Sequence, residues 1–444
     1  MPQFPNEALE LMINVRKQPW KRESSMDISN KQVLRIATAG SVDDGKSTLI
    51  GRLLFDTKSI TSDKLLAIEE SSRRKGLDYT DLSLLTDGLV AEREQGITID
   101  VAHIYFATKS RKYIIADTPG HIEYTRNMVT GASNADVSLI LIDARNGLVE
   151  QTRRHLYIAH LLRVPKVVVC VNKMDLVNYS QARFESIVNE VKALVDKASL
   201  TGFDISFLPI SSLYGENIIT DSEHMSWYLG DSLIEALESV EVKSHQTDLP
   251  TRFPIQHVIR PKTNEHHDYR GYAGKVASGT LKVGDKVTVL PSGAVSEIKS
   301  IQKYKTELKE AIAGESVSIL LKDDVGASRG DMLVKEGSLN FGNEITSDVC
   351  WMDNAPLVAG RTYKLQHGVS ESRVKVLGLN HKVNTESLLV ETNISGFQLN
   401  DIGEVVLKSS KPVLADSYKQ NRRNGAFILI DEFTNNTVGV GFVA

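Results

Sequence analysis

The sequence predicts an α/β domain, a mostly parallel sheet with helices on both faces, followed by two antiparallel β-barrel domains. Three observations carry this. From Gln32 to about Glu238, apolar strands alternate with helical segments such as Tyr179 to Ala198, the βαβ pattern of a parallel sheet. After about residue 251 the pattern changes to short alternating strands separated by Gly, Asn and Asp turns, in two successive runs. The length of 444 residues suits three domains at the usual ~150 each, and a hydrophobic fraction of 41% is enough for separate cores. The expected organisation is an N-terminal extension over 1–31, with a short helix over Glu7 to Val15, then the α/β domain over 32–243. A polar linker around Glu241 to Pro250 leads to barrels over 251–340 and 345–444.

The α/β domain opens with a strand over Val33 to Ala37 and a helix over Thr48 to Leu54. Between them runs Gly40-Ser41-Val42-Asp43-Asp44-Gly45-Lys46-Ser47, the phosphate-loop spacing G-x-x-x-x-G-K-S/T. Glycines let successive N–H groups turn inward around phosphates, and the dipole of the following helix adds partial positive charge. Lys46 is then expected on the β- and γ-phosphates and the Ser47 hydroxyl on Mg²⁺, with Thr48 also beside the phosphates. Asp43 and Asp44 are electrostatic oddities next to a polyphosphate. Their side chains should point away and brace backbone N–H groups, or Asp43 holds a cation.

Three more strand ends supply the remaining contacts. Tyr113 to Ala116 is an apolar strand ending in Asp117-Thr118-Pro119-Gly120-His121, where Asp117 is placed to hold Mg²⁺ through a water and the Gly120 N–H to approach the γ-phosphate. Lys166 to Val171 is the continuous apolar run of a strand buried on both faces, and it ends in Asn172-Lys173-Met174-Asp175. The Asp175 carboxylate can accept from the N1–H and amine edge of guanine, a pattern that adenine lacks, so this N-K-x-D loop selects GTP over ATP. Ile205 to Ile210 leads into Ser211-Ser212-Leu213, whose backbone and hydroxyl groups are expected on guanine O6. The charged stretch from Thr57 to Ile99 reads as an effector region.

These loops, in this order, resemble those of the translation-factor class of GTPases, the group that includes elongation factor Tu. Ala91-Glu-Arg-Glu-Gln-Gly96-Ile97-Thr98-Ile99 resembles its first switch, whose threonine, here Thr98, closes on Mg²⁺. Asp117 to Met128 resembles its second switch, whose histidine, here His121, orients the attacking water. Hydrolysis of GTP mainly requires a positioned water and stabilised charge, and an imidazole suits the first of these needs. The arginine that the class carries before Gly-Ile-Thr is replaced by Gln95, so slow intrinsic turnover and dependence on a partner are expected.

Composition narrows the class further. The formal charge of −4 gives no general attraction to nucleic acid or membrane. Two cysteines, Cys170 and Cys350, make neither a disulfide framework nor a metal cluster, and His266-His267 reads as a solvated pair. No apolar run approaches the ~20 residues of a membrane span, and no basic-then-apolar leader opens the chain. A cytoplasmic protein is expected.

In the first barrel, Arg270 to Asp285 and Val325 to Asp331 resemble the second domain of the translation-factor class, with the Gly284-Asp285 turn closing a hairpin. The last domain departs from elongation factor Tu. Arg361 to Leu365, Lys411 to Tyr418 and Asn421 to Val443, with the wider string Ser41 to Asp56, resemble the GTPase subunit family of bacterial sulfate adenylyltransferase. The resemblance implies a heterodimer, open to higher assembly, in which a separate catalytic subunit joins ATP and sulfate into adenosine 5′-phosphosulfate and pyrophosphate. In it, GTP hydrolysis drives that uphill nucleotidyl transfer. Some relatives carry an adenylylsulfate kinase with its own phosphate loop; no second G-x-x-x-x-G-K-S/T occurs here, so that activity is expected on a separate protein. The competing reading is an elongation or release factor that binds tRNA and the ribosome. Residues 345–444 hold ten Lys and Arg against ten Asp and Glu, not the basic excess that nucleic acid favours.

Overall fold

A computed structural model of the chain describes residues 32–74, 76, 80–85, 101–119, 125–242, 245–261, 269–335, 339, 341–384 and 387–444. The α/β domain comprises β1 (Val33–Ala39), α1 (Lys46–Asp56), α2 (Ser62–Arg74), β2 (Ala102–Ala107), β3 (Lys112–Asp117) and α3 (Thr125–Ala132). It continues through β4 (Val137–Asp143), α4 (Glu150–Leu161), β5 (Lys166–Asn172), α5 (Gln181–Lys197), β6 (Asp204–Pro209) and α6 (Leu233–Glu238). The sheet order is β2-β3-β1-β4-β5-β6, parallel throughout except for the antiparallel edge strand β2.

Side chains that alternate along the strands build two separate cores. Ala37, Ala39, Ile140, Ile142, Val167, Val169 and Val171 pack with α4 and α5 on one face. Leu34, Ile36, Leu139, Leu141, Val168 and Cys170 pack with α1 and α6 on the other. Helix α5 shows why it folds as it does: Ser180 accepts the N–H of Arg183 at its start, and Phe184, Ile187, Val191 and Leu194 form the buried stripe of a 3.6-residue period.

The stretch expected as an effector region carries helical structure in its described part. It contains α2 and a short 3₁₀ helix, Leu82–Leu85, which packs on α1 where Gly51 leaves room. A Cβ at Gly51 would stand 2.1 Å from the Leu82 carbonyl oxygen, so only glycine permits this approach.

Both later units are antiparallel. In the first, the segment 252–259 pairs at one end with Met332–Lys335 and at the other with Gly271–Lys275, which brings the sheet round on itself. Gly284 has φ +91°, and Asp285 accepts the Lys282 N–H at 2.8 Å, the tight turn expected from the sequence. In the last unit, Thr362–His367 pairs with both Ser370–Val383 and Ala426–Ile430, which closes a barrel. This barrel shares a core with the α/β domain: Cys350, Met352, Tyr418 and Phe442 lie in one cluster with Leu161, Leu162 and Val164. The Tyr418 hydroxyl donates to the Leu162 carbonyl at 3.1 Å. Among the described residues, no helix is long and apolar enough to cross a membrane.

Candidate functional site

The carboxyl ends of β1, β3, β5 and β6 bring together the phosphate-loop, Asp117, Asn172 and Ser211 segments, the crevice where open α/β sheets take ligands. Gly40 and Gly45 turn the loop, and Gly45 leads directly into α1 with φ +90°. A Cβ on Gly45 would stand 2.5 Å from the Asn172 amide nitrogen, so the loop and the N-K-x-D turn are in close contact. Ser47 and Thr48 are half-buried in the first turn of α1, while Val42 and Asp43 face solvent.

Lys46 is buried. Its ammonium donates to the carbonyls of Gly40 at 2.7 Å and Ser41 at 3.1 Å. Burial lowers its pKa, opposed by the fields of Asp117 and Asp44. No carboxylate pairs with it within 4.0 Å among the described residues. A desolvated ammonium hydrogen-bonded to two carbonyls, beside a glycine cradle at a helix N-terminus, fits the polyphosphate the sequence calls for.

Asp44 settles one electrostatic oddity. Its carboxylate accepts the Ser41 N–H at 2.5 Å and is buried, which raises its pKa against the lowering effects of that hydrogen bond and of Lys46. It braces the loop. Asp117, buried beside Thr118 and Pro119, accepts the Thr38 hydroxyl at 2.9 Å, and the Thr118 hydroxyl donates to the Thr38 carbonyl. Strand β1 therefore orients the carboxylate from behind.

The base-side loops are bonded to one another. Ser211 and Ser212 do not present free hydroxyls: Ser211 donates to Asp175 at 2.6 Å, and both the N–H and hydroxyl of Ser212 donate to the Asn172 side-chain oxygen at 2.9 Å. The Asn172 amide in turn donates to the Asp44 carbonyl at 2.8 Å. These groups lock loop to loop, because a buried amide or hydroxyl must find partners inside the protein. Asp175 and Leu213 are half-buried.

Two residues that the sequence does not single out complete the lock. Asp143, at the end of β4 and only 1% exposed, pairs with Lys173 at 3.1 Å and Arg145 at 2.7 Å. Burial alone would raise its pKa; the hydrogen bonds from Arg145 and Lys173 outweigh it and bring it down to about 2. Lys173 then donates onward to the Asp43 carbonyl. Arg52 of α1 donates to the Ser212 carbonyl at 3.3 Å and to that of Leu213. The run Val-Ser-Leu-Ile-Leu-Ile of β4, buried at every position, is the signal that could have found Asp143; Arg52 leaves no such trace in a helix. Gly120, His121, Thr98, Gln95, the N-terminal extension and His266-His267 lie outside the described residues.

Residues 31–243 match the family model of the elongation factor Tu GTP binding domain, 272–334 that of elongation factor Tu domain 2, and 344–444 that of the GTP-eEF1A C-terminal domain-like family. The chain is 48% identical over 413 residues to the bifunctional enzyme CysN/CysC of Mycobacterium tuberculosis, covering 93% of this chain and 67% of that protein. It is 48% identical over 418 residues to sulfate adenylyltransferase subunit 1 of Erwinia tasmaniensis, covering 93% and 86%. The corresponding Bacteroides thetaiotaomicron protein is 45% identical over 425 residues, with the same coverages. With that identity along nearly the whole chain, and with the phosphate and N-K-x-D loops assembled at the carboxyl ends of the strands, the protein belongs to the sulfate adenylyltransferase subunit 1 family of elongation factor Tu-like GTPases.

Proposed function

We propose that this chain binds GTP with Mg²⁺ and couples GTP hydrolysis to the synthesis of adenosine 5′-phosphosulfate from ATP and sulfate by a separate catalytic subunit in the cytoplasm. The observation that carries the nucleotide half is Lys46, a buried ammonium held by two carbonyls at the mouth of a glycine cradle. The family carries the sulfate half.

In this reading the N–H groups from Gly45 to Thr48 and the Lys46 ammonium receive the phosphates, and Asp175 accepts from the guanine edge. Asn172, Lys173, Ser211, Ser212 and Leu213 keep that edge in register with the phosphate loop. Ser47, Thr98 and, through a water, Asp117 would hold Mg²⁺, which neutralises charge on the β- and γ-phosphate oxygens. His121 orients the attacking water and Gly120 donates to the γ-phosphate. Loss of that phosphate releases the two switch segments, and the partner reads the change.

The test is to purify the chain with whatever co-purifies and to measure GTP hydrolysis with ATP present, with and without sulfate. Hydrolysis should rise when sulfate is added. A GTPase stimulated by ribosomes and indifferent to sulfate would refute the assignment.

A further inference from the structure

A cavity of about 990 Å³ lies where the α/β domain meets both barrels. Its floor is the sheet face carrying Arg35 of β1 and Tyr105 of β2, and one wall is the end of α3 with the turn to Asp136. The barrels add Lys275, Arg422 and Arg423. Four permanent cations thus converge on a space whose described lining contains a single acid, Asp136, in a chain that carries −4 overall.

That acid is engaged within the fold. It accepts the backbone N–H of Arg35 at 2.9 Å, and burial raises its pKa against the fields of Arg35 and Arg422. Arg422 is a structural clamp. Its guanidinium donates to the carbonyls of Ser133 at 3.0 Å and Ala135 at 3.5 Å, which fastens the last barrel to the end of α3. Its Nε is enclosed without an acceptor. Arg423 has its pKa lowered by burial and then by its neighbours Arg35 and Arg422. Like charges gathered around a concave space create a potential that a bound anion relieves.

We propose that this three-domain cavity binds an organic polyanion of nucleotide size, with its phosphate or sulfate oxygens on Arg35, Arg423 and Lys275 and its organic part against Tyr105 and Tyr418. The volume falls within the ~300–1,000 Å³ of small-molecule sites, and inorganic sulfate or phosphate alone would leave most of it unfilled. The position gives such a ligand leverage on the nucleotide site. Helix α3 begins shortly after Asp117-Thr118-Pro119, and its far end is the cavity wall held by Arg422. A ligand bridging Arg35 on the sheet and Arg423 on the barrel favours one placement of α3. By reciprocity it therefore shifts the affinity for guanine nucleotide. The coupling rests on the GTP reading above; binding in the cavity does not.

The test uses the full chain preloaded with GDP, so that the phosphate loop is filled, and measures equilibrium binding of ATP and of pyrophosphate. One ATP per chain should bind, more tightly than pyrophosphate. The double variant Arg35→Gln, Arg423→Gln should weaken ATP at least tenfold while retaining GDP, which shows that it is folded. Absence of saturable ATP binding, or binding indifferent to both substitutions, overturns the site. Pyrophosphate bound as tightly as ATP overturns its organic part, and tRNA displacing ATP assigns the cavity to nucleic acid instead. ATP should also change the rate of GDP release at least threefold in the wild type and not in the double variant; an unchanged rate overturns the coupling. Failure of the wild type to bind GDP would count against the GTP reading alone, and the ATP isotherm in a Lys46→Met background would still decide the cavity.

Discussion

Lys46 and Arg252 are both buried cations, 8% and 1% exposed, yet the protein treats them in opposite ways. Arg252, at the start of the first barrel, meets Asp416 of the last barrel in a bidentate pair, with Nη2 to Oδ1 at 2.7 Å and Nε to Oδ2 at 3.1 Å. Its Nη1 donates to the Thr251 carbonyl, and the amides of Asn421 and Asn424 each donate to Asp416 at 2.9 Å. Every charge there is answered within the chain. Lys46 has no ion-pair partner within 4.0 Å among the described residues; it donates to two carbonyls, and the fields of Asp117, Asp44 and Asp43 offset only part of its desolvation. A fully paired buried cation is a fastener between domains, whereas an under-paired one at a glycine loop keeps its charge for a ligand.

The largest expected effect breaks the fastener. Arg252→Ala leaves Asp416 buried without its cation and should cost about 3–5 kcal/mol of stability in urea unfolding. Replacing both partners with apolar residues should restore most of it. If the single substitution costs no more than a surface change, the contrast between the two cations fails. Next, Lys46→Met should weaken GTP and GDP about 100-fold or more, about 2.7 kcal/mol, while the nucleotide-free chain unfolds at the same urea concentration or higher, because the ammonium's burial cost is gone. A loss of nucleotide-free stability like that of Arg252→Ala would place Lys46 among the fasteners.

The smallest effect sharpens the comparison through pH. His155 of α4 is buried, and burial together with the fields of Lys46 and Arg154 lowers its pKa to about 3. The unfolded imidazole, near 6.5, takes up its proton first, so the contribution of His155 is complete above that pH and is lost as pH falls towards 3. About 2 kcal/mol should have gone by pH 5. His155→Gln should flatten the stability profile between pH 6.5 and 5. An unchanged slope would mean that burial and the fields of Lys46 and Arg154 do not hold His155 neutral in the folded chain.

The strands that end in motifs were legible from their residues, because an apolar run followed by Gly, Asp or Asn is a local pattern. The described strands Val33–Ala39, Lys112–Asp117, Lys166–Asn172 and Asp204–Pro209 stand where the sequence places them. Strand β4 has the same apolar character and no motif, and with it Asp143 stayed out of sight. Ser211 and Ser212 stand out in the sequence but their contacts do not, since a hydroxyl's partner is set by whichever acceptor the fold brings near. Likewise α2 and the Leu82–Leu85 turn lie in a charged stretch where periodicity is weak, and Gly51 shows their docking only once the Leu82 carbonyl stands against it.

The sequence by itself determined the fold class, the phosphate loop, the N-K-x-D loop and the order of the domains, since each depends on near neighbours in the chain: glycine torsions, strand alternation, a helix start. Tertiary structure alone decided how those parts are held. Arg52 reaches the Ser212 carbonyl across 160 positions, and Arg252 reaches Asp416 across 164. The cations of the three-domain cavity likewise come from segments distant in the chain. A charge announces its type in the sequence, but whether it is paired, spare or repelled depends on distances that only the folded chain sets.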